Sequence, residues 1–208
     1  MILIGQYDSS FVRRVGIALT LYDLSFEHRP WSVFSDFEAL RGLNPTGRVP
    51  VLVLDDDEVL IDTHAILDHL DTLVAPERRL VPAEGPARRH SLKVSALASQ
   101  LADTAVSLFY EKVLHEAPSP VLVERRGAQL LGGLAALEAE RNERRTTHWF
   151  GERIGHADIA VAAAIRHTRD SHPDLVDLEA YPALARHCAA LEALPVFTTI
   201  SQPFLPPA

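Results

Sequence analysis

The chain changes its pattern once, near residue 74, and that change limits what it can fold into. Before it, short β-rich runs at residues 2–6, 26–31, 51–54 and 58–61 alternate with helical stretches, which predicts a small α/β unit. Asp55-Asp56-Asp57 separates the last two runs and is expected to be a hairpin turn. Residues 75–86 then concentrate proline and charge, from Ala75-Pro76-Glu77 to Pro82-Ala83-Glu84-Gly85-Pro86, and read as a linker. From 87 to 208 the sequence is rich in Ala and Leu at helical spacing and offers no strand pair. Helices are expected near 87–115, 120–144, 156–170 and 181–193, punctuated by Pro118, Pro120, Pro173, Pro182 and Pro195. Gly132-Gly133 marks close helix packing or a kink.

Within the first unit, Pro50 opens the apolar run Pro50-Val51-Leu52-Val53-Leu54. Proline lacks an N–H and fixes φ, so it belongs at the first position of a strand or at a bulge. Val49 keeps its own N–H and C=O. A trans proline merely starting the strand is the commoner arrangement, whereas a cis bond in a tight turn would present both Val49 groups beside an open sheet edge. An extended peptide can pair there like an added strand.

The flanking residues give such a peptide two ends. Arg48 sets a guanidinium beside the turn, and Asp62-Thr63 opens a helix predicted to run from Thr63 through Leu73, with Ile66, Leu67, Leu70 and Leu73 on one face. Its first N–H groups and the Thr63 hydroxyl can hold a carboxylate, with Asp62 holding an ammonium group beside it. Taken alone, Asp62-Thr63 is an N-cap pair contributing about 1 kcal/mol.

A third element lies near the N-terminus. Ile2-Leu3-Ile4-Gly5-Gln6 reads as a strand, and Phe11, Val15, Ala18, Leu19 and Tyr22 carry a helix, so Ser9-Ser10 fall at the turn between them. A hydroxyl there either caps the helix or meets a bound anion. Lowering a thiol of pKa about 8.5 by two units takes about 2.7 kcal/mol. One hydrogen bond to a charged group supplies about 1.5–3 kcal/mol and the helix N-terminus about 0.3–1 more.

On these residues, 1–74 resembles the thioredoxin-like N-terminal domain of the cytosolic glutathione S-transferase superfamily. Val49-Pro50 resembles its cis-proline element, and Asp62-Thr63 its Glu-Ser or Asp-Ser pair. Asp8-Ser9-Ser10-Phe11-Val12-Arg13-Arg14-Val15 is similar to the Ser-Pro-Phe-Val-Arg-Arg-Val and Ser-Ser-Cys-Ser runs of serine-type members, tau- and zeta-like ones included. The resemblance implies a thioredoxin-like α/β domain (1–74), a linker (75–86) and an all-α C-terminal domain (87–208). It implies glutathione as substrate, with Val49 pairing with the cysteinyl backbone, Arg48 near the glycyl carboxylate, and Asp62-Thr63 on the γ-glutamyl end. Ser9 matches the active-site serine; Ser10, standing where the family has proline or a second serine, and Tyr7, at the strand end used by tyrosine-type members, are the other candidates. A homodimer and a detoxifying conjugation of small hydrophobic electrophiles follow from the same likeness. Phe11, Leu108, Phe109 and Tyr110 could line the electrophile's pocket, although core packing is the commoner role for such residues.

Other classes are disfavoured. No cysteine stands at the Ser9 turn, against the branches that resolve mixed disulfides; Cys188, the single cysteine, reads as a small buried apolar group. One cysteine forms no intrachain disulfide, and with no signal-like or membrane-spanning run a cytoplasmic location is expected. With 20 Lys and Arg against 28 Asp and Glu, the net charge of −8 argues against nucleic-acid or anionic-membrane partners. Arg13-Arg14, Arg88-Arg89, Arg125-Arg126 and Arg144-Arg145 are expected on solvated helix faces. His64, Asp68 and His69, like His167 and His172, lack the spacing of a zinc site, and no phosphate-binding glycine run indicates a nucleotide.

Gly155 to Asp158 resembles the family's capped core helix with glycine at the cap, a structural motif. Three functions remain: a transferase, a glutathione-dependent isomerase or peroxidase, and a non-enzymatic interaction module. A zeta-like isomerase is weakened by Phe11 and Val12, which replace the Cys and Ser of that motif.

Overall fold

In a computed structural model, residues 1–206 are described. The apolar N-terminal run forms β1 (Ile2–Ile4), and helix α1 (Ser10–Leu21) carries the chain over to β2 (Glu27–Arg29), which pairs with β1 in parallel. A parallel neighbour requires such a crossover, and the helix buries its Val12, Val15, Ile17 and Leu19. After α2 (Phe37–Leu43), strands β3 (Val51–Val53) and β4 (Val59–Ile61) complete a mixed sheet in the order β2-β1-β3-β4, followed by α3 (Thr63–Thr72). The hairpin turns at Asp55-Asp56-Asp57 as the sequence predicts, with Asp57 at φ 67° and Leu54 N–H donating to Glu58 O. Ile4, Leu40 and Val51 form a buried core on this sheet, with Trp31, Val33 and Val49 packed around it.

The helical half holds α4 (Gly85–Leu114), α5 (Pro120–Asn142), α6 (His156–Ser171) and α7 (Pro182–Glu192), each close to its expected span. Helix α4 packs against both α5 and α6. Gly133 is the close-packing position anticipated for the glycine pair: a methyl group there would stand 3.1 Å from Leu101 Cδ1, whereas one on Gly132 would meet nothing. Among the described residues no helix is long and apolar enough to cross a membrane.

Buried or half-buried carboxylates do the capping in this half. Asp158 takes the N–H groups of Gly155 (2.9 Å) and Trp149 (2.8 Å), so the acid end of the expected box is present and the glycine end contributes only backbone. Glu138 of α5 accepts the Ala183 and Leu184 N–H groups that open α7, at 2.9 and 2.8 Å. Glu111 of α4 accepts Ser119 N–H at 2.7 Å, ahead of α5. Apart from Trp149, the donors stand at helix starts, where no acceptor exists within the helix itself.

Two expectations are corrected. The chain divides into Met1–Ala83 with Leu194–Ala208, and Glu84–Ala193, so the helical domain does not run from 87 to the end. A short helix, α8 (Pro195–Thr199), packs on α1 instead. The reason also corrects the second expectation. Arg13 and Arg14 do not lie on a solvated face; each is 2% exposed. Arg13 forks onto the carbonyls of Ile200 (2.9 Å) and Phe197 (2.8 Å), with its guanidinium 5.4 Å from the Phe197 ring, which ties the C-terminal segment to α1.

Candidate active site

Three chain segments converge at one end of the small sheet. The first is the start of α1. Ser9 is its N-cap, extended at φ −67° and ψ 117°, and Val12 N–H donates to its Oγ at 3.4 Å. That contact lies beyond the usual 2.7–3.2 Å for such a bond. The hydroxyl accepts in it, so its own proton remains available to a further partner. Ser10, the first residue of the helix, differs: its Oγ is sealed from solvent and has no hydrogen-bond partner among the described residues. Tyr7 packs its ring 3.8 Å from that of His28, nearly parallel, while His28 Nε2 contacts Gly5 O at 2.8 Å. Burial pushes the Tyr7 hydroxyl up to about 12.

The second segment is the turn before β3. The Val49–Pro50 bond is cis. Asn44 shapes the approach, its Nδ2 donating to Arg48 O (2.8 Å) and its Oδ1 accepting from Thr46 N–H (3.1 Å) and the Thr46 hydroxyl (2.8 Å). Gly47, at φ 63°, passes so close to Phe37 that a methyl group would stand 2.3 Å from the ring. Arg48 is exposed and Val49 half-buried. Gly5 joins this turn to α1: a methyl group on it would lie 2.5 Å from Val12 Cγ2 and 2.9 Å from Val49 Cβ.

The third is the start of α3. Asp62 is exposed, at φ 72° and ψ 130°, and its Oδ1 accepts the N–H groups of His64 (2.8 Å) and Ala65 (3.2 Å). A non-glycine residue in this region of backbone space carries about 1–3 kcal/mol of strain, and such residues cluster where a ligand is held. The helix-capping role is therefore real, but Oδ1 alone performs it. Thr63 is 2% exposed and its hydroxyl donates to Phe11 O at 3.5 Å, which turns it toward α1. Of the donors expected at this helix start, the His64 and Ala65 N–H groups and the Thr63 hydroxyl have acceptors, and the Thr63 N–H, in the first turn, has none within its own helix. Beneath lies Arg14, whose buried guanidinium is lowered to about 10 by desolvation, with Asp62 opposing the shift. It stays cationic at neutral pH.

Sequence reasoning thus brings Ser9, Val49-Pro50 and Asp62-Thr63 into one region, linked through Gly5, Val12 and Phe11. It missed Gly5, Asn44 and Arg14. Glycine at a strand end was a usable signal, and so was Asn44, whose partners lie two and four residues on; the burial of Arg14 depends on contacts made only in the fold. The proposed apolar pocket residues separate. Leu108 is fully buried and belongs to the helical core, while Phe109 sets its ring 6.3 Å from His172 and 6.2 Å from Tyr110. Consecutive helix positions point about 100° apart, so the three cannot share one direction. Phe11 is half-buried. No group of three or more His, Cys, Asp or Glu among the described residues could hold a metal ion.

A four-stranded thioredoxin-like sheet followed by a bundle of helices is the glutathione transferase architecture. Residues 3–78 match the family model for the glutathione S-transferase N-terminal domain, and residues 120–190 match that for its C-terminal domain. The chain belongs to the glutathione S-transferase superfamily. It is 28% identical over 206 residues to glutathione S-transferase Z2 of Arabidopsis thaliana, covering 94% of this chain and 87% of that one. It is 29% identical over 212 residues to maleylacetoacetate isomerase of Pseudomonas aeruginosa, covering 95% and 93%. Among solved structures, a glutathione S-transferase of Methylobacillus flagellatus with glutathione bound superposes with a TM-score of 0.89 at 26% identity, covering 98% of this chain and 99% of that one.

Proposed function

We propose that the protein binds glutathione across the Val49-Pro50 turn and the start of α3, and that Ser9 donates a hydrogen bond to its sulfur. The thiolate so formed attacks a small hydrophobic electrophile. The observation that carries this reading is the contrast between the two serines: Ser9 is only half-buried and its hydroxyl accepts a bond without spending its proton, while Ser10 Oγ has no exposed surface through which to meet a ligand. Tyr7 is a poorer candidate because its ring is packed under α1 against His28 and Gly16.

The remaining assignments follow from the three segments. Val49 pairs its backbone with the cysteinyl unit. The Thr63 N–H takes the γ-glutamyl carboxylate, and the Asp62 oxygen not used in capping takes the ammonium. Arg48, exposed on the other side of Val49, takes the glycyl carboxylate. The enzyme is expected to be cytoplasmic, and also homodimeric, the latter tested by sedimentation of the purified chain.

Titration of glutathione against the protein, following thiolate ultraviolet absorbance at neutral pH, tests the central step. A hydrogen bond to a charged group is worth about 1.5–3 kcal/mol, so Ser9→Ala should reduce the thiolate-to-thiol ratio of bound glutathione by about ten- to a hundredfold. No binding by the parent defeats the whole reading. An unchanged thiolate in Ser9→Ala, with loss in Ser10→Ala or Tyr7→Phe, moves the role to another residue.

A second reading is favoured by the isomerase relative: the same thiolate adds to a conjugated double bond, the bond rotates, and the thiolate leaves again. Glutathione is then regenerated rather than consumed. Assay with a maleyl substrate against a chlorinated aromatic one separates the two by whether free thiol is lost.

A further inference from the structure

The segment after α8 lies along the loop that carries Ser9. The loop leaves β1 after Ile4 and enters α1 at Ser10, so its backbone has no strand partner over Gln6 to Asp8. Tyr7 is buried, and a buried N–H needs an acceptor. Gln202 provides it: its Oε1 accepts Tyr7 N–H at 2.9 Å, across 195 residues of chain. The loop returns a bond, Asp8 Oδ2 accepting Leu205 N–H at 3.1 Å. Upstream, Arg13 of α1 donates to the carbonyls of Phe197 and Ile200, so the segment is fixed to the same helix whose cap is Ser9. Within the loop, Ser9 N–H donates to Gln6 O at 3.2 Å, which makes the Ser9 backbone sensitive to where Gln6 and Tyr7 sit.

We propose that Gln202 is a positioning residue for the thiol-activating serine: the C-terminal segment straps the β1–α1 loop in place, and the Gln202 carboxamide fixes the loop two residues ahead of Ser9. The inference rests on the assignment of Ser9 made above. Gln202 touches no reacting atom. It acts by denying the loop the freedom to swing Ser9 Oγ away from the sulfur, a displacement of about 1 Å being enough to lose up to a hundredfold in such geometry.

The test compares Gln202→Met, which keeps the side chain's length but not its acceptor, with Gln202→Glu, which keeps an acceptor oxygen. In Gln202→Met the amides of Tyr7 and Ser9 should exchange with solvent at least about tenfold faster, and the midpoint of glutathione thiolate formation should rise by about one pH unit, a tenfold smaller thiolate-to-thiol ratio at any given pH. Glutathione affinity, set by the Val49 and Asp62 segments, should stay within about threefold by calorimetry, a change worth under 1 kcal/mol. Gln202→Glu should restore the slow exchange and most of the midpoint. If Gln202→Met only lowers the melting temperature and leaves Ser9 exchange and the midpoint as in the parent, the segment is a structural tether and the proposal is overturned. A parent that forms no thiolate with glutathione refutes the Ser9 assignment instead, and the Tyr7 and Ser9 exchange rates still decide whether Gln202 holds the loop.

Discussion

Asp62 has one observed role and one proposed role, and one substitution can separate them. Its Oδ1 caps α3 through His64 and Ala65, and in the proposed complex its negative charge meets the ammonium of glutathione. Asn is as good an N-cap as Asp and tolerates positive φ, so Asp62→Asn preserves both the cap and the backbone at φ 72°. Stability in urea should then change by less than about 0.5 kcal/mol, the residual being the weakened field on buried Arg14, screened because Asp62 is exposed. The lost charge-assisted bond is worth about 1.5–3 kcal/mol, which raises the glutathione dissociation constant by about ten- to a hundredfold. Asp62→Ala differs in kind, losing the cap (about 1 kcal/mol) and forcing a Cβ residue to hold positive φ without a side-chain bond (about 1–2 kcal/mol more). Calorimetric titration and urea unfolding of the three proteins give both numbers. An Asn variant that binds glutathione within twofold of the parent, at parental stability, would leave Asp62 as a cap alone.

Asp158→Ala strips the acceptor from Trp149 and Gly155 N–H groups, at about 1–3 kcal/mol each, so a loss of roughly 3–5 kcal/mol is expected in urea unfolding, with Asp158→Asn about half as damaging. Tyr7 has its hydroxyl raised to about 12 by burial, and Tyr22 is raised as well by burial and its bond to Asp71. Their folded pKa values lie above the unfolded one of about 10, so their contribution is complete below pH 10 and is lost as pH rises through and above it. Tyr7→Phe should flatten the fall in stability measured between pH 10 and 12. Burial also pushes the Cys188 thiol up to about 12, so it should resist a thiol reagent at pH 8 in the native protein and react fully in urea.

How much of this was legible beforehand depends on the range of the interaction involved. The hairpin at Asp55-Asp56-Asp57, the helix from Thr63 and the four long helices each follow from neighbours within a few residues, and each was recoverable from periodicity and turn chemistry. Ser9 at the head of α1 and Asp62 at the head of α3 were placed by the same local logic, since an N-cap is defined by the residues just after it. Local logic failed for Arg13-Arg14. A double arginine looks solvated unless one knows that two carbonyls near residue 200 will fold back to receive Arg13 and that Arg14 is buried near Asp62. It failed for Leu108 too, because helical spacing says which residues share a face but not whether that face meets core or cleft.

The sequence by itself therefore determined the class of fold, the change from an α/β to a helical pattern, and the residue types available for the proposed thiol chemistry. Only tertiary structure decided which serine stays accessible, why α5 and α7 begin where they do under Glu111 and Glu138, and that the chain beyond Leu194 returns to the Ser9 loop. The physical reason is common to all three. Burial and hydrogen-bond satisfaction are settled by partners that are distant in sequence, and a buried donor is satisfied by whichever acceptor the completed fold brings to it.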